Sequence, residues 1–361
     1  MYTFARTLGT HEKAVSAVKF SPDGKLVATC SADCLIFVYE VVSGNRLLVL
    51  DGKHRQGLND VIWIKGGSGY YLVACSDDRS VVVWDVEAQS IVTSLTGHKG
   101  FVFCLAVHPR NNMVLSGSYD CTARLWDVRL ARNCAVFGAH SEPVTSLCFR
   151  PSPPTSSDPG FSGSALNSRP NAAATSWCDQ FATGGSDGIV RTWDMHSHQC
   201  LRSYILNKSP PVPTSRVLWS PCGAHLMVST LDSTIRLWDA MSRTTAMDVT
   251  GVGVPCSPLL RSFSAELSTN TNLCLPMAFT QYPAGSGENH LVSGAETGHF
   301  FVWDVESACA RQNLPAHRAA VLGLDTTPVA ASDGASYVVT GGATLDPTVK
   351  LWRRHIADID I

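Results

Sequence analysis

The sequence predicts an all-β ring of seven four-stranded blades, a β-propeller, and three observations predict it. First, one unit recurs: a polar turn carrying Asp, then alternating apolar residues, then Trp-Asp. It reads SDDRSVVVWD, SYDCTARLWD, GSDGIVRTWD and TLDSTIRLWD, with GAETGHFFVWD and ATLDPTVKLW as looser copies and SADCLIFVYE as a degenerate first one. The Trp positions, with Tyr39 in the first copy, are 39, 84, 126, 193, 238, 303 and 352, in steps of 45, 42, 67, 45, 65 and 49. A basic period of about 40–45 residues suits one propeller blade. Second, most steps hold a short strand ending in a small residue and His: SIVTSLTGH, NCAVFGAH, ARQNLPAH and, with one extra residue, NRLLVLDGKH. Third, the same pattern opens the chain as TFARTLGTH, while the last unit, KLWRRHIADIDI, has little room for an outer strand of its own. Residues 3–8 therefore supply the outer strand of the last blade, an overlap that ties the ring shut and removes an open sheet edge.

Taken in order, blades one, two and three follow at regular spacing and need no insertion. Blade four is too long by an excess at residues 151–180, PSPPTSSDPGFSGSALNSRPNAAATSWCDQ, rich in Pro, Ser, Gly and Ala with little to bury. It reads as a mobile loop between the first and second strands of that blade. Blade five is regular up to Trp238. A second excess, residues 251–272, GVGVPCSPLLRSFSAELSTNTN, stands between blades five and six; its apolar run PLLRSF is suited to folding against the ring or docking a partner. Blades six and seven complete one propeller over residues 1–361, because stacked repeats hide their faces only against neighbours.

The bulk composition narrows the function. The 361 residues are 45% hydrophobic, and 28 basic against 30 acidic residues leave a formal charge of −2, so no overall field draws the chain to nucleic acid or an anionic membrane. Thirteen cysteines, scattered and mostly among apolar strand residues, read as reduced core residues of an intracellular protein. No apolar run has the length of a signal peptide or a membrane span. The expectation is a soluble nuclear or cytosolic protein.

Several constellations imitate chemistry. Blade three offers His98, Ser116, Asp120 and Trp126, and blade four offers His140, Thr183, Asp187 and Trp193. A nucleophilic triad occurs once and needs an oxyanion hole; a set recurring at fixed spacing reads as structural. In it the Asp accepts from the imidazole, which meets the strand hydroxyl and the indole donor. Cys30 and Cys34, and the His-x-His-x-Cys of His196, His198 and Cys200, lack a second ligand pair at zinc spacing, so no metal is expected. GSGENH and GVGVP lack the Lys and Ser/Thr of a phosphate loop. No cofactor and no enzymatic activity are expected.

This vocabulary is that of the WD-repeat class. Within it, the stretches HEKAVSAVKFSPDGKLVATCSAD, GLNDVIW, GHKGFVFCLAVHPRNNMVLSGSYD, AHSEPVTSL and PPVPTSRVLWSPCGAHLMVSTLDSTIRLWD resemble the WD-repeat-protein-five family, propeller subunits of COMPASS/MLL-type histone-lysine methyltransferase complexes. The resemblance covers nearly the whole chain apart from the two excess segments. It implies a channel mouth that takes an arginine-bearing peptide, from a histone tail or a methyltransferase subunit, between two aromatic rings. Position by position, Ala14, Ser16 and Ala32 keep small rim residues, Asp77 keeps the acid, Phe103 keeps one clamp ring and Cys274 keeps the cysteine. Tyr119 replaces a phenylalanine and Thr145 a serine. Asn59 stands where the family has Ser, Ser186 where it has Tyr, and Pro276 where it has the second clamp Phe, a loss of stacking of about 1–2 kcal/mol. For a second partner, on the opposite face, the implied contacts are Cys222, His225 and Ile235, the first two replacing an Asn and a Tyr.

The resulting expectation is a non-catalytic scaffold, monomeric within a hetero-complex, that grips linear arginine-containing peptides, most naturally a nuclear chromatin regulator. The alternative is a WD-repeat adaptor of another machine, a ubiquitin ligase or an RNA-processing complex, for which a basic cluster at the mouth would speak; the residue the sequence brings to notice there is the acidic Asp77.

Overall fold

A computed structural model describes residues 1–51, 54–67, 69–110, 112–151, 178–205, 210–241, 259–280, 290–328 and 335–355. Seven antiparallel four-stranded sheets are arranged as the blades of a β-propeller. The innermost strands are Val15–Phe20, Leu58–Lys65, Val102–Val107, Val144–Phe149, Thr214–Trp219, Met277–Phe279 and Val321–Thr326. Each second strand is buried on both faces between neighbouring blades, so it reads as an unbroken run of apolar or small residues: LVATCS over Leu26–Ser31, YVVTGG over Tyr337–Gly342. Outer strands face water and alternate poorly, as in RLLVLD over Arg46–Asp51. The core lies in separate layers between blades, for example Val15, Val18 and Tyr39 of blade one against Val339 and Leu351 of blade seven. Among the described residues no helix is long and apolar enough to cross a membrane.

The ring closes as the sequence predicts. Tyr2–Thr10 is the outer strand of blade seven, antiparallel to Thr348–Arg354, with Tyr2 opposite Arg354 and Thr10 opposite Thr348. Phe4 meets Trp352 edge to face at 5.5 Å.

The first excess segment lies mostly outside the described residues; the chain is followed again from Cys178 into the strand Gln180–Gly185. The second needs correction. Leu259–Phe263, inside the expected insertion, is the fourth strand of blade five, with Phe263 opposite Ile235. The physical reason is that blade five, like every other, covers its third strand with an outer one, and Phe263 supplies the buried anchor against Trp303 at 6.1 Å. The surplus therefore falls upstream, in residues 242–258, outside the described residues. Downstream, Asn270 fixes the crossing to blade six: its amide donates to Ser229 Oγ at 2.9 Å and its backbone N–H to Ser233 Oγ at 2.9 Å.

Candidate functional site

All seven innermost strands, or the residues leading into them, contribute to one cavity of about 340 Å3, the upper part of the central channel. Of the residues expected at the peptide site, Ser16, Asn59, Phe103, Thr145, Cys274 and Pro276 line it. The others stand on the rim, where each turn between second and third strands is tied to the head of an inner strand. Ala32 N–H donates to the Ala14 carbonyl at 3.0 Å, Asp77 to Gly57 at 3.2 Å, Tyr119 to Phe101 at 2.8 Å and Ser186 to Pro143 at 2.9 Å.

Local chemistry departs from the expected pocket at three points. The Asn59 amide donates to Asp77 Oδ1 at 2.7 Å and to the Val102 carbonyl at 2.9 Å, so the rim acid has one oxygen already engaged. Thr145 donates to the Thr214 carbonyl at 2.8 Å and serves the blade junction. Phe103 and Pro276 line the same cavity, and Pro276 has no aromatic face to complete a clamp. What the mouth has instead is an aromatic trio on blade three: Phe101, Phe103 and Tyr119, with centroids 6.0–6.5 Å apart. Phe101 is 44% and Tyr119 58% exposed.

The channel wall is held by side chains that bridge blades. Asp60 Oδ2 accepts from Leu105 N–H at 3.0 Å, Ser146 Oγ from Val217 N–H at 3.0 Å and Asp325 Oδ2 from Phe20 N–H at 2.9 Å. Burial raises the Asp325 carboxyl above its ordinary range, opposed mainly by Lys19 at 3.7 Å. Below this belt a second cavity of about 490 Å3 shares Lys19 and Arg216 with the first, so these two cations sit at the waist of the channel. Sequence reasoning passed over Arg216. Its signal was available: at the equivalent inner-strand position other blades carry Ala17, Asp60, Cys104, Ser146 and Gly323, and only blade five has a long cation. Phe101 and Glu296 were also missed. The Glu296 carboxylate accepts N–H bonds from Thr271, Asn272 and Leu273 and so positions the segment that delivers Cys274.

The triad-like sets form inter-strand networks. His98 Nδ1 lies 2.9 Å from Asp120 and Nε2 2.7 Å from Ser116 Oγ, which accepts from Trp126 Nε1 at 2.8 Å. His140, Asp187, Thr183 and Trp193 repeat this in blade four, and His317, Asp346, Thr340 and Trp352 in blade seven. Burial works against the Asp120 charge, yet hydrogen bonds from Thr122, Lys99 N–H and His98 hold its carboxyl down at about 2. Burial pushes the His98 imidazole below its ordinary value, against the opposing pull of Asp120. Blade two lacks the hydroxyl: Ala74 occupies its place, and both His54 Nε2 and Trp84 Nε1 are buried without a hydrogen-bond partner.

On the opposite rim a groove of about 620 Å3 runs between blades five and six, lined by Cys222, His225, Leu260, Arg261, Val305 and Glu306. Ile235, expected on that face, is instead buried at 5% exposure between the two blades with Phe263 and Met277, because a third-strand residue there faces the neighbouring sheet. Ser220 accepts His225 N–H at 3.0 Å, which leaves its own proton for Cys222 Sγ at 3.2 Å; His225 Nδ1 is 3.8 Å away. Burial opposes ionisation, but the bonds from His225 and Ser220 outweigh it and bring the thiol down to about 7.

The residues weighed as metal ligands diverge. His196 Nε2 is 3.3 Å from Asp179, His198 packs edge-on against Phe137, and Cys200 faces Ser203. His108, Cys178 and Asp179 do converge within 4.8 Å. There His108 Nδ1 accepts Arg110 N–H at 3.1 Å, which turns the Nε2 proton to Asp179 at 3.2 Å, so both ring nitrogens are engaged.

Comparison with known proteins agrees with this architecture. The WD domain, G-beta repeat family matches residues 2–40, 44–85, 89–127, 132–194 and 199–239, well over half of the chain. The COMPASS component SWD3 of Saccharomyces cerevisiae is 25% identical over 67% of this chain and 70% of its own. The nuclear distribution protein PAC1 of Arthroderma otae is 28% identical over 65% of this chain, and the U5 small nuclear ribonucleoprotein 40 kDa protein of Dictyostelium discoideum is 28% identical over 52%. The matched stretches span only about half of these last two relatives, 51% and 46%. With seven four-stranded sheets, the Trp-Asp third strands and the family match in agreement, this chain belongs to the WD-repeat family.

Proposed function

We propose that the chain is a non-catalytic scaffold that captures a linear segment of a partner protein at the channel mouth, as a subunit of a nuclear, COMPASS-like histone methyltransferase assembly. The observation that carries peptide capture is the aromatic trio beside an open cavity. Phe101 and Tyr119 hold their rings exposed beside Phe103, and burying such rings is what anchors an interface. The likeness to SWD3 favours the COMPASS-like setting, and the recurrence of the polar sets in blades three, four and seven supports a structural use for them over catalysis.

The captured group expected from the sequence is an arginine side chain. In its favour stand Phe103, Cys274 and the second carboxylate oxygen of Asp77; against it stand Pro276 and the Arg216 guanidinium in the same cavity. Titration calorimetry with an arginine-bearing histone-tail peptide tests this. Arginine capture predicts micromolar or weaker binding, lost in Phe103→Ala and tightened about tenfold in Pro276→Phe, where a restored ring recovers roughly 1.4 kcal/mol. No heat for either the parent chain or Pro276→Phe removes arginine as the guest. Peptide capture itself is tested by co-purification from the source cell: Phe101→Ala/Tyr119→Ala should lose a methyltransferase subunit that the parent chain retains. Equal recovery by both would end that reading.

A further inference from the structure

The waist of the channel holds a cation that no hydrogen bond or ion pair engages among the described residues. Arg216 enters from the innermost strand of blade five and borders both channel cavities. Among the described residues no hydrogen bond or ion pair engages its guanidinium, and its Nε is buried with no acceptor. The neighbouring charges are already committed. Lys19 pairs with Asp325 at 3.7 Å, Asp325 also accepts Phe20 N–H, and Asp60, 3% exposed, accepts N–H bonds from Val61 and Leu105. Asp325 feels Arg216 only behind Lys19 and two backbone N–H groups. A half-buried guanidinium with a stranded donor is costly unless an acceptor arrives from outside.

We infer that Arg216 is the receptor for a carboxylate, so that the segment captured at the mouth inserts an acidic side chain into the channel. This rests on the mouth being a peptide-docking site and specifies what that site takes. The chemistry selects a carboxylate on two grounds. A planar guanidinium matches two carboxylate oxygens through parallel N–H bonds. Lys19 and Arg216 already face Asp60 and Asp325 across the two cavities, so an added monoanion leaves one excess negative charge where a phosphate dianion would leave two, and the smaller charge is favoured. A cavity of about 340 Å3 has room for such a side chain. The trio of Phe101, Phe103 and Tyr119 at the entrance favours apolar residues beside the acid. An arginine guest, by contrast, would enter a cavity that already contains a guanidinium.

The test uses three blocked pentapeptides, acetyl-Ala-Phe-X-Leu-Ala-amide with X as Glu, Gln or Arg, titrated by ligand-detected NMR onto the full chain at low salt. The Glu peptide should bind at least tenfold tighter than the other two, and the preference should vanish in Arg216→Gln. Equal binding of the three, weakened alike by Phe101→Ala, would keep the docking site and overturn the carboxylate. Preference for the Arg peptide would do the same. Binding of none, in parent and variants alike, would overturn both the docking site and the carboxylate. A ligand-free measurement separates a receptor from a structural residue: Arg216→Gln should melt at or above the parent temperature, since no internal bond is lost. A fall of several degrees would show that Arg216 holds the ring together and sink the inference.

Discussion

Blade two allows a stabilising substitution to be derived from the other blades. Ala74 is fully buried and pairs with Val82 in the register in which Ser116 pairs with Arg124, so the two positions are equivalent. Ala74→Ser should place a hydroxyl where His54 Nε2 and Trp84 Nε1 now lack partners. The protonation pattern is consistent. His54 Nδ1 lies 2.8 Å from Asp78 and carries the proton, so Nε2 accepts from the new hydroxyl, which in turn accepts from the indole. Blade three shows that the geometry closes, at 2.7 and 2.8 Å. Two hydrogen bonds of about 1 kcal/mol each, less about 1 kcal/mol for burying the hydroxyl, leave a gain of about 1 kcal/mol. With an unfolding entropy near 2.1 cal/mol/K per residue, that raises Tm by about 1 °C in a chain of this length. Differential scanning calorimetry reads it. Ser116→Ala, which creates the same two orphans in blade three, should lower Tm by a few degrees. An unchanged or lower Tm for Ala74→Ser would refute the account of these networks as hydroxyl-centred.

Three further outcomes are expected. Deleting residues 2–8 exposes the edge of Thr348–Arg354 and should lower Tm by many degrees and promote association, followed by light scattering during a thermal ramp; unchanged melting would contradict the closure. The stability contributed by the His–Asp networks should be level above about pH 7 and fall in two stages on acidification. Burial holds His98 below its ordinary value of 6.5 and His317 down at about 4, so the unfolded chain gains protons first as pH drops through 6.5. Asp120 and Asp187, held at about 2, are protonated preferentially in the unfolded chain below pH 4. Urea midpoints independent of pH between 7 and 4 would count against buried neutral imidazoles. Finally, Cys222 should react with iodoacetamide at pH 7 ahead of exposed Cys134, Cys200 and Cys309, with a rate that halves near pH 7 and drops in His225→Ala; peptide mass spectrometry showing equal labelling would remove the Cys222–His225 pair.

What was legible in the sequence followed from repetition. Trp84, Trp126, Trp193, Trp238, Trp303 and Trp352 all fall on third strands, and counting strands correctly assigned the first outer strand to blade seven. Repetition also misled. The run at Leu259–Phe263 was set apart as an insertion because 242–258 displaces it from the expected spacing, although every blade needs such a strand. Channel residues were the least legible, since an inner-strand side chain is identified as facing the axis only when all seven strands are aligned radially. Phe103, Cys274 and Pro276 were found because a resemblance pointed to them. Arg216 was in view, in TSRVLW, but a strand motif read alone says nothing of what surrounds a cation. The same holds for Asn59, whose amide meets Asp77 only across a folded blade.

The seam in blade seven has a consequence for biosynthesis. Met1 and His355, bonded to one another, are 354 positions apart. At roughly 5–20 residues per second, the ribosome needs about 20–70 s between making the first strand of the seam and making its partner. Throughout that interval Tyr2–Thr10 has emerged without the strand it belongs to, while blades one to six become available to stack in order. Tyr2–Thr10, made before any strand of blade one, is thus placed only after Thr348–Arg354 has been made, and a nascent chain stalled before Thr348 is an open arc with two free edges. Such an arc is a natural client for a chaperone that shields unpaired strands until the seam can form.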